Sequence, residues 1–440
     1  MRDNSPRANL DGKRSPPVPV RYLVLAWLCA AATIAYSQRF PLGVLVTLVQ
    51  DDLKIDDEAM GWAISAFFIS YALFQIPGGW LSDRWGSRAA LALFVTACSL
   101  AVGLTGAATG IVALVVFRLT AGAGQAGIFP AATLSMARWF PSTERAVSSG
   151  LLAGCMSLGG VVATALAGSL LLLCSWRWVF LIFAIPGIAW SVGFYLWFRN
   201  RPEEHSGVRA AELSVIRGGA AESDHDRHST SEPTPWIALA RSASMWLIAW
   251  QQFFRAAGYA LFTSWFPKYL QKVYEITVEE AGVLTSIALA AVVVGSPLGG
   301  ILSDWLLVRS GSRRISRQGT AIVTMLACAA FFALSMLPTR PGPAVMLIAA
   351  AAFFGAVAGP IAYAITIDMG GRHVATVFSV MNMAGNIGAA AFPVVVGSLV
   401  ERTGRWEWIP LLVAGIYVAG AVCWLFLNPN GTVFRSNTER

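Results

Sequence analysis

The chain has 440 residues, of which 56% are hydrophobic and only 13% are charged, and its mean hydropathy is +0.61. Soluble domains are about 45–50% apolar and about 25% charged, so this composition excludes a soluble enzyme, a secreted disulfide-stabilised protein and a disordered protein. The six cysteines are scattered through apolar runs without a Cys-x-x-Cys pair, which favours their use as small apolar residues. We expect neither a metal site nor a cofactor.

The net charge of +8 does not indicate nucleic-acid binding, because the basic residues lie in short loops rather than on one patch. With the N-terminus inside, 22 of the 32 Lys and Arg residues fall in inner loops and tails, and seven fall in outer loops. The positive-inside rule therefore predicts a multi-pass protein of the cell (plasma or inner) membrane with both termini cytoplasmic. The first 20 residues are polar, so no signal peptide is predicted.

Apolar stretches of about 20 residues, each long enough to cross the hydrocarbon core of a bilayer, recur along the chain. Lipid offers the backbone no hydrogen-bond partner, so these stretches are predicted to be helices rather than strands. The expected fold is an all-α membrane protein with twelve transmembrane helices. The predicted spans are 21–48, 59–81, 89–109, 111–137, 146–174, 176–198, 243–270, 278–304, 318–337, 343–369, 374–400 and 406–428.

One long polar segment divides the spans into six plus six and is predicted to be a flexible linker. The two halves repeat a motif, since Gly-Gly-x-Leu-Ser-Asp ends at Asp83 after span two and at Asp304 after span eight. Such internal repeats are typical of transporters. The predicted organisation is a cytoplasmic tail (1–20), a six-helix bundle (21–198), a cytoplasmic linker (199–242), a second six-helix bundle (243–428) and a cytoplasmic tail (429–440).

The loop after span two resembles the loop 2–3 signature of the major facilitator superfamily, whose members are transporters with two pseudo-symmetric six-helix bundles. Its matching residues are Gly79, Leu81, Asp83, Arg84, Gly86 and Arg88. A degenerate copy ends at Asp304, with Arg313 and Arg314 further on. An Asp at the inner end of a helix can accept hydrogen bonds from the N-terminus of a neighbouring helix and pair with Arg. The alternative is a static surface ion pair, which contributes little.

The resemblance therefore implies a conformational or gating role for residues of these loops. We expect that role for Asp83, Arg84, Arg88 and Asp304. Arg118, in span four, is also expected to be mainly structural or conformational.

A narrower resemblance involves spans four and five, the Trp-Arg-Trp sequence that opens span six and the paired asparagines of span eleven. It is similar to the anion:cation symporter family, which includes bacterial permeases for sugar acids and aromatic acids. The resemblance implies a proton-driven symporter of an organic anion. The family usually carries an Asp and a Glu where this chain has Gln38 and Gln125. Proton symport, uniport, anion exchange and a proton carried on the substrate therefore all stay open.

Two arginines, Arg39 in span one and Arg255 in span seven, fall near the middle of the membrane at 1.5 Å per residue. An Arg there costs about 2.5–3.5 kcal/mol and stays protonated, and none of the 24 acidic residues lies near the middle of a span. The expected partner is an anion that arrives and leaves, because a guanidinium matches a carboxylate or phosphate in bidentate fashion. The alternative is that either Arg pairs with backbone carbonyls at a helix contact.

Other polar side chains are predicted to contact the ligand around these arginines. Asn382 and Asn386 are four residues apart and share one helix face. For both, interhelical hydrogen bonding is the alternative. The predicted substrate-binding set is Arg39, Tyr36, Tyr71, Gln125, Arg255, Asn382 and Asn386.

The expected function is secondary transport of a small organic anion of the sugar-acid type by alternating access. A second arginine in span seven also resembles organophosphate exchangers, so an anion exchanger or uniporter is the alternative. A non-transporting membrane receptor is the alternative of another class, and no enzymatic constellation is found. The expected partners are the substrate anion, protons or a counter-transported anion, and the bilayer, and we expect a monomer.

Overall fold

The computed structural model describes residues 18–39, 41–55, 57–171, 173–217, 234–276 and 278–434. Most of the predicted N-terminal tail, the middle of the predicted linker and the end of the C-terminal tail lie outside these residues. Within the described ranges the regular structure is helical and contains no strand. The predicted all-α membrane fold is confirmed, as expected for segments that must satisfy their own backbone hydrogen bonds in lipid.

The fourth predicted span before the linker is divided into two helices. Gly127 separates the two parts of the fourth span. The helices are α1 (Val20–Arg39), α2 (Pro41–Leu53), α3 (Asp57–Trp85), α4 (Ser87–Thr105), α5 (Ile111–Ala126), α6 (Ile128–Trp139), α7 (Arg145–Leu170) and α8 (Trp176–Trp197).

The first part of the predicted flexible linker is structured. It contains a 3₁₀ turn at Pro202–Glu204 and a short helix, α9 (Ala210–Ile216), and a second short helix, α10 (Trp236–Arg241), precedes the next span. The Glu212 carboxylate accepts hydrogen bonds from the backbone N–H groups of Val20 (3.1 Å) and Arg21 (2.8 Å). These N–H groups have no partner within α1, and the carboxylate suits the positive end of the helix. The expectation of flexibility is therefore wrong for residues 199–217.

Short turns of other helical types precede several of the helices after the linker. A π-helical turn, Arg314–Gly319, leads into the ninth span, and 3₁₀ turns at Gly371–His373 and Trp406–Trp408 precede the last two. The helices are α11 (Ala243–Ser264), α12 (Phe266–Tyr274), α13 (Val278–Ser310), α14 (Thr320–Leu334), α15 (Pro341–Gly370), α16 (Val374–Thr403) and α17 (Ile409–Phe426).

Ten helical stretches of the described chain are long and apolar enough to cross a membrane. One of them, Pro341–Val400, includes both α15 and most of α16. The polar side chains of Gln251, Gln252 and Arg255 lower the hydropathy of α11, which is not among the ten. The membrane fold is thus confirmed, and the number of twelve spans stays a prediction.

The helices of the two halves approach each other at equivalent glycines of the repeated motif. On α3, a Cβ added to Gly79 would overlap Ser379 and the carbonyl oxygen of Ala375 on α16. On α13, a Cβ added to Gly300 would overlap the carbonyl oxygen of Ala146 on α7. Glycine at these positions permits close helix packing. Both contacts lie at the end of the bundle where α1 begins and the structured linker residues 199–217 lie, which we call the linker end.

Candidate functional site

Arg39 is the last residue of α1, and its guanidinium is surrounded by aromatic rings. Its Cζ lies 5.5 Å from the ring centroid of Tyr36, 5.2 Å from Phe67, 4.6 Å from Phe68 and 5.1 Å from Tyr71. Such rings stabilise a cation through their quadrupoles. Arg39 forms no ion pair with a carboxylate among the described residues, and its side chain is half-buried. The charge is held in place without being neutralised.

Arg118, on α5, is a second interior cation beside the first. Its Cζ lies 4.6 Å from the centroid of Phe67, the ring that Arg39 also contacts. The residue is only 3% exposed, and its Nε has no hydrogen-bond partner. No ion pair involving Arg118 occurs in the described part of the chain. Burial of an unpaired charge is costly, so two neighbouring guanidiniums create a region that favours negative charge.

Arg255, on α11, faces the same central region from the other half. Its Nε donates to Oε1 of Gln252 (3.0 Å). Gly359 on α15 leaves room for it, because a Cβ there would lie 3.3 Å from Nη1. Gln252 in turn packs against α16, because a Cβ added to Gly385 would lie 2.9 Å from its Cγ. Asn382, one turn before Gly385 on α16, lies 3.5 Å from the hydroxyl of Tyr71, whose ring contacts Arg39, so the two mid-membrane arginines are linked through the same stretch of α16 between the halves.

The paired asparagines of α16 border this region and are partly exposed. The side-chain amide of Asn382 donates to Oε1 of Gln75 (2.9 Å) and lies 3.5 Å from the hydroxyl of Tyr71, both on α3. Asn386 donates to the backbone carbonyl of Asn382 (3.1 Å). The structure therefore brings Tyr36, Tyr71 and both asparagines together with the arginines, and Asn382 also makes the interhelical contact that was the alternative.

The amides at the two positions where the resembling family has carboxylates are buried between helices. Gln38, 2% exposed, donates to Oγ of Ser99 (2.9 Å) and to the carbonyl of Phe183 (2.9 Å). Gln125 is fully buried and donates to the carbonyl of Ala35 on α1. Its Oε1 has no hydrogen-bond partner among the described residues. Gln125 therefore makes a contact with α1, and its contact with a ligand stays a prediction.

Two aspartates of the repeated motif contact helix N-termini of the opposite half at the linker end. Asp83 accepts hydrogen bonds from the backbone N–H groups of Ala375 (3.1 Å) and Thr376 (2.9 Å) and from the Thr376 hydroxyl (2.6 Å). Asp304 accepts from the backbone N–H of Val147 (2.8 Å). Carboxylates are favoured at these positions because the first N–H groups of a helix lack partners and carry partial positive charge.

A buried ion network joins the halves beside these contacts. Arg317 donates to Asp304 (2.8 Å) and to the carbonyl of Ser142 (2.7 Å), and its Nε lies 3.6 Å from Asp368. Arg145 pairs with Asp368 at 2.7 Å. The sequence prediction missed Arg317 and named Arg313 and Arg314 instead. The available signal is spacing, since Arg317 lies about one helical turn after Arg313, just before the ninth span.

The other predicted gating residues contact their own half. Arg84 lies over the ring of Trp80, with its Cζ 5.5 Å from the centroid. Arg88 donates to the carbonyl of Tyr195 (2.7 Å) and lies over that ring at 4.5 Å. The Arg88 contacts attach the start of α4 to α8. A gating role for Arg84 and Arg88 stays a prediction.

The family model of the Major Facilitator Superfamily matches residues 28–337 and 311–440, which together include nearly the whole chain. The chain belongs to the Major Facilitator Superfamily. This confirms the resemblance seen in the loop after α3. It also confirms that the protein is a transporter rather than an enzyme, because members of this superfamily move solutes across membranes.

Relatives within the superfamily extend over the same length. The chain is 30% identical over 417 residues to a probable sulfoacetate transporter, SauU, of Cupriavidus necator, covering 94% of this chain and 96% of that protein. It is 31% identical over 422 residues to the D-galactonate transporter of Escherichia coli O6:H1, covering 92% of this chain and 95% of that protein.

A solved superfamily structure supports the fold alone. The proton:xylose symporter XylE, bound to 6-bromo-6-deoxy-D-glucose, matches with a TM-score of 0.70 at 13% sequence identity. The alignment covers 93% of this chain and 96% of that one.

Proposed function

We propose that this superfamily member is a secondary transporter that moves a small organic anion by alternating access. The observation that carries the proposal is the convergence of Arg39 and Arg255 on one region, without a carboxylate partner among the described residues. A guanidinium binds carboxylate, sulfonate or phosphate oxygens through paired hydrogen bonds. The names of the relatives, transporters of sulfoacetate and D-galactonate, support an organic acid of two to six carbons.

In this proposal the substrate anion binds between two six-helix bundles, residues 21–198 and 243–428, and Tyr36, Tyr71, Asn382 and Asn386 complete its contacts. Asp83 and Asp304 hold the linker end shut in the state described here. Their release would accompany opening of that end, and Arg84, Arg88 and Arg118 would support the movement. Binding energy drives such a change only when the substrate binds the two states differently.

The coupling mechanism is proposed from the two buried amides. A side-chain amide does not change its protonation state at physiological pH, so Gln38 and Gln125 would not carry the coupling proton of a symporter. Their hydrogen bonds to Ser99, Phe183 and Ala35 suit a structural role. We therefore favour uniport, anion exchange or a proton carried on the substrate. Among these mechanisms, exchange of one anion for another is the second candidate function, since fixed positive charge at the site favours a state in which an anion is always bound.

We further propose that the protein is a monomer in the cell membrane, with the linker end and both termini in the cytoplasm. The asymmetric distribution of Lys and Arg supports this orientation. Reporter fusions at residue 440 and in the loop near residue 340 test it. Cytoplasmic activity of the first and external activity of the second are expected, and the reverse would refute the orientation.

Uptake by purified protein in proteoliposomes tests the transport proposal. Labelled D-galactonate and sulfoacetate are the first substrates, and Arg39→Ala is expected to reduce uptake by at least about a hundredfold, the effect of losing a charge-assisted bidentate contact in a desolvated site. Arg309→Ala is the matched control, because Arg309 lies on α13 over Trp305 and away from the site. Near-normal uptake by Arg39→Ala would refute the assignment.

The same vesicles separate the alternatives. An exchanger accumulates label only when unlabelled substrate is present inside, whereas a uniporter equilibrates label without it. A membrane receptor binds the substrate without any uptake.

A further inference from the structure

The arginines of the site carry more positive charge than one monoanion can balance. Arg39, Arg118 and Arg255 belong to α1, α5 and α11, and none of these helices contains an Asp or Glu. In the facing helices α3, α15 and α16, acidic residues are confined to the helix ends. Arginine stays protonated in proteins, and unbalanced charge inside a membrane protein is costly. The sequence itself therefore supplies three interior cations without interior anions.

These charges lie on two sides of the shared region. Arg39 and Arg118 contact the same ring, Phe67, in the first half. Arg255 belongs to the second half and is anchored there by Gln252. Asn382, from the second half, lies 3.5 Å from the hydroxyl of Tyr71, from the first half, and the ring of Tyr71 contacts Arg39. A ligand with both negative charges on one group would reach one side only.

We infer that the preferred substrate is a terminal dianion, a small organic acid with one carboxylate or sulfonate at each end. One end contacts Arg39, with Arg118 behind it, and the other end contacts Arg255. The inference rests on the proposed transport function and narrows its substrate class. Such a molecule bridges the two halves, so both halves contribute to its binding.

Matched pairs of ligands test this inference by titration calorimetry on the purified full-length chain. D-Glucarate and D-gluconate share a six-carbon polyol and differ in one terminal carboxylate. Sulfoacetate and ethanesulfonate differ in the same way at the two-carbon scale. In at least one pair the dianion is expected to bind at least about tenfold more tightly, the ratio produced by one additional charge-assisted contact.

The Arg255→Gln variant tests whether Arg255 binds the second negatively charged end of the ligand. This variant is expected to reduce the ratio of dianion to monoanion affinity to within about twofold, and the control Arg309→Gln is expected to retain it. A variant that keeps the wild-type ratio would overturn the assignment of the second end to Arg255. If Arg255→Gln does not fold, the wild-type ratios alone decide the substrate class.

Two results would overturn the preference for a terminal dianion without deciding whether the chain transports an organic anion. Equal affinities within both pairs would show that the site recognises one negative charge, and anion transport would stand. Failure of all four ligands to bind at millimolar concentration would exclude small terminal dianions. The uptake experiment with Arg39→Ala then decides separately whether the chain transports an anion.

Discussion

Asp83 and Asp304 make the same contact in the two halves of the molecule. Each lies near the linker end of its helix, and each accepts backbone hydrogen bonds at the first turn of a helix from the opposite half. Asp83 binds the start of α16 and Asp304 binds the start of α7. The repeated Gly-Gly-x-Leu-Ser-Asp motif thus supplies both a close helix crossing and a carboxylate that caps the partner. One state of the linker end is stabilised twice by the same chemistry.

Replacing Asp83 with Asn should loosen the linker end. The amide keeps one acceptor but loses the charge that favours the helix N-terminus, a loss of about 0.3–2 kcal/mol. Amide hydrogen exchange in residues 374–378 is expected to increase, since opening exposes the first turn of α16. Asp52→Asn is the control, because Asp52 pairs with Arg177 within the first half (2.8 Å). Unchanged exchange in Asp83→Asn would show that the carboxylate does not hold this end shut.

The sequence predicts those parts of the structure that depend on the membrane and on the repeat. Lipid forces apolar stretches into helices, and equivalent positions in two halves bring Arg39 and Arg255 to one region. The sequence does not reveal that Arg317, rather than Arg313, pairs with Asp304. The π-helical turn at Arg314–Gly319 changes the direction of the side chains around it, and the residue pattern does not predict such a turn.

The position of Gln125 escapes sequence analysis for a similar reason. Helical periodicity identifies the face on which a side chain lies, but it does not show how closely the neighbouring helix packs. The carbonyl of Ala35 lies within hydrogen-bond distance of the Gln125 amide, a helix contact that the residue pattern does not show, and the ligand contact of Gln125 stays a prediction.

Removing the carboxylate of Asp368 should strongly destabilise the fold. Its side chain is fully buried and lies against Arg145 (2.7 Å) and Arg317 (3.6 Å). Asp368→Asn leaves Arg145 without a counter-charge and Arg317 with Asp304 alone, and breaking a buried pair costs about 3–5 kcal/mol. Thermal unfolding in detergent measures the effect. The control Glu203→Gln removes an exposed pair with Arg217 and should cost less than about 1 kcal/mol, so equal effects would contradict the role of the buried network.

Gln125→Glu should make the stability of the protein depend on pH. A protonated carboxyl can donate to the Ala35 carbonyl as the amide does, but an ionised carboxylate cannot, and it would face a carbonyl oxygen in a buried position. The variant should therefore lose stability as the pH rises, by about 1–3 kcal/mol, whereas the wild-type protein has no titrating group at this contact. Melting temperatures between pH 5 and 9 measure this, and parallel curves for both proteins would refute it.

The same variant tests the coupling proposal. If position 125 is where a carboxylate would carry a proton, Gln125→Glu should gain a substrate-driven proton flux that the wild-type protein lacks. A pH-sensitive dye inside proteoliposomes reports that flux. A stoichiometric flux in the wild-type protein would show instead that coupling does not depend on this position.

Protonation of His205 should detach the structured part of the linker. The ring packs edge-on against Trp197 (4.8 Å) and Trp139 (5.9 Å), and burial together with the nearby Arg199 guanidinium lowers the pKa of His205 below its usual value. A lowered pKa means that the packed state favours the neutral ring. Its contribution to docking is therefore present above about pH 6.5, the usual pKa of histidine, and is lost as the pH falls below that value.

Hydrogen exchange in residues 203–213 measures this docking as a function of pH, after correction for the intrinsic pH dependence of exchange. The wild-type protein should show increasing exchange below pH 6, whereas His205→Phe keeps the aromatic contacts without a titrating group and should show a flat profile. An identical pH profile in the two proteins would exclude His205 as the group responsible. Because Glu212 in the same segment accepts from the first N–H groups of α1, detachment should also increase exchange at Val20 and Arg21.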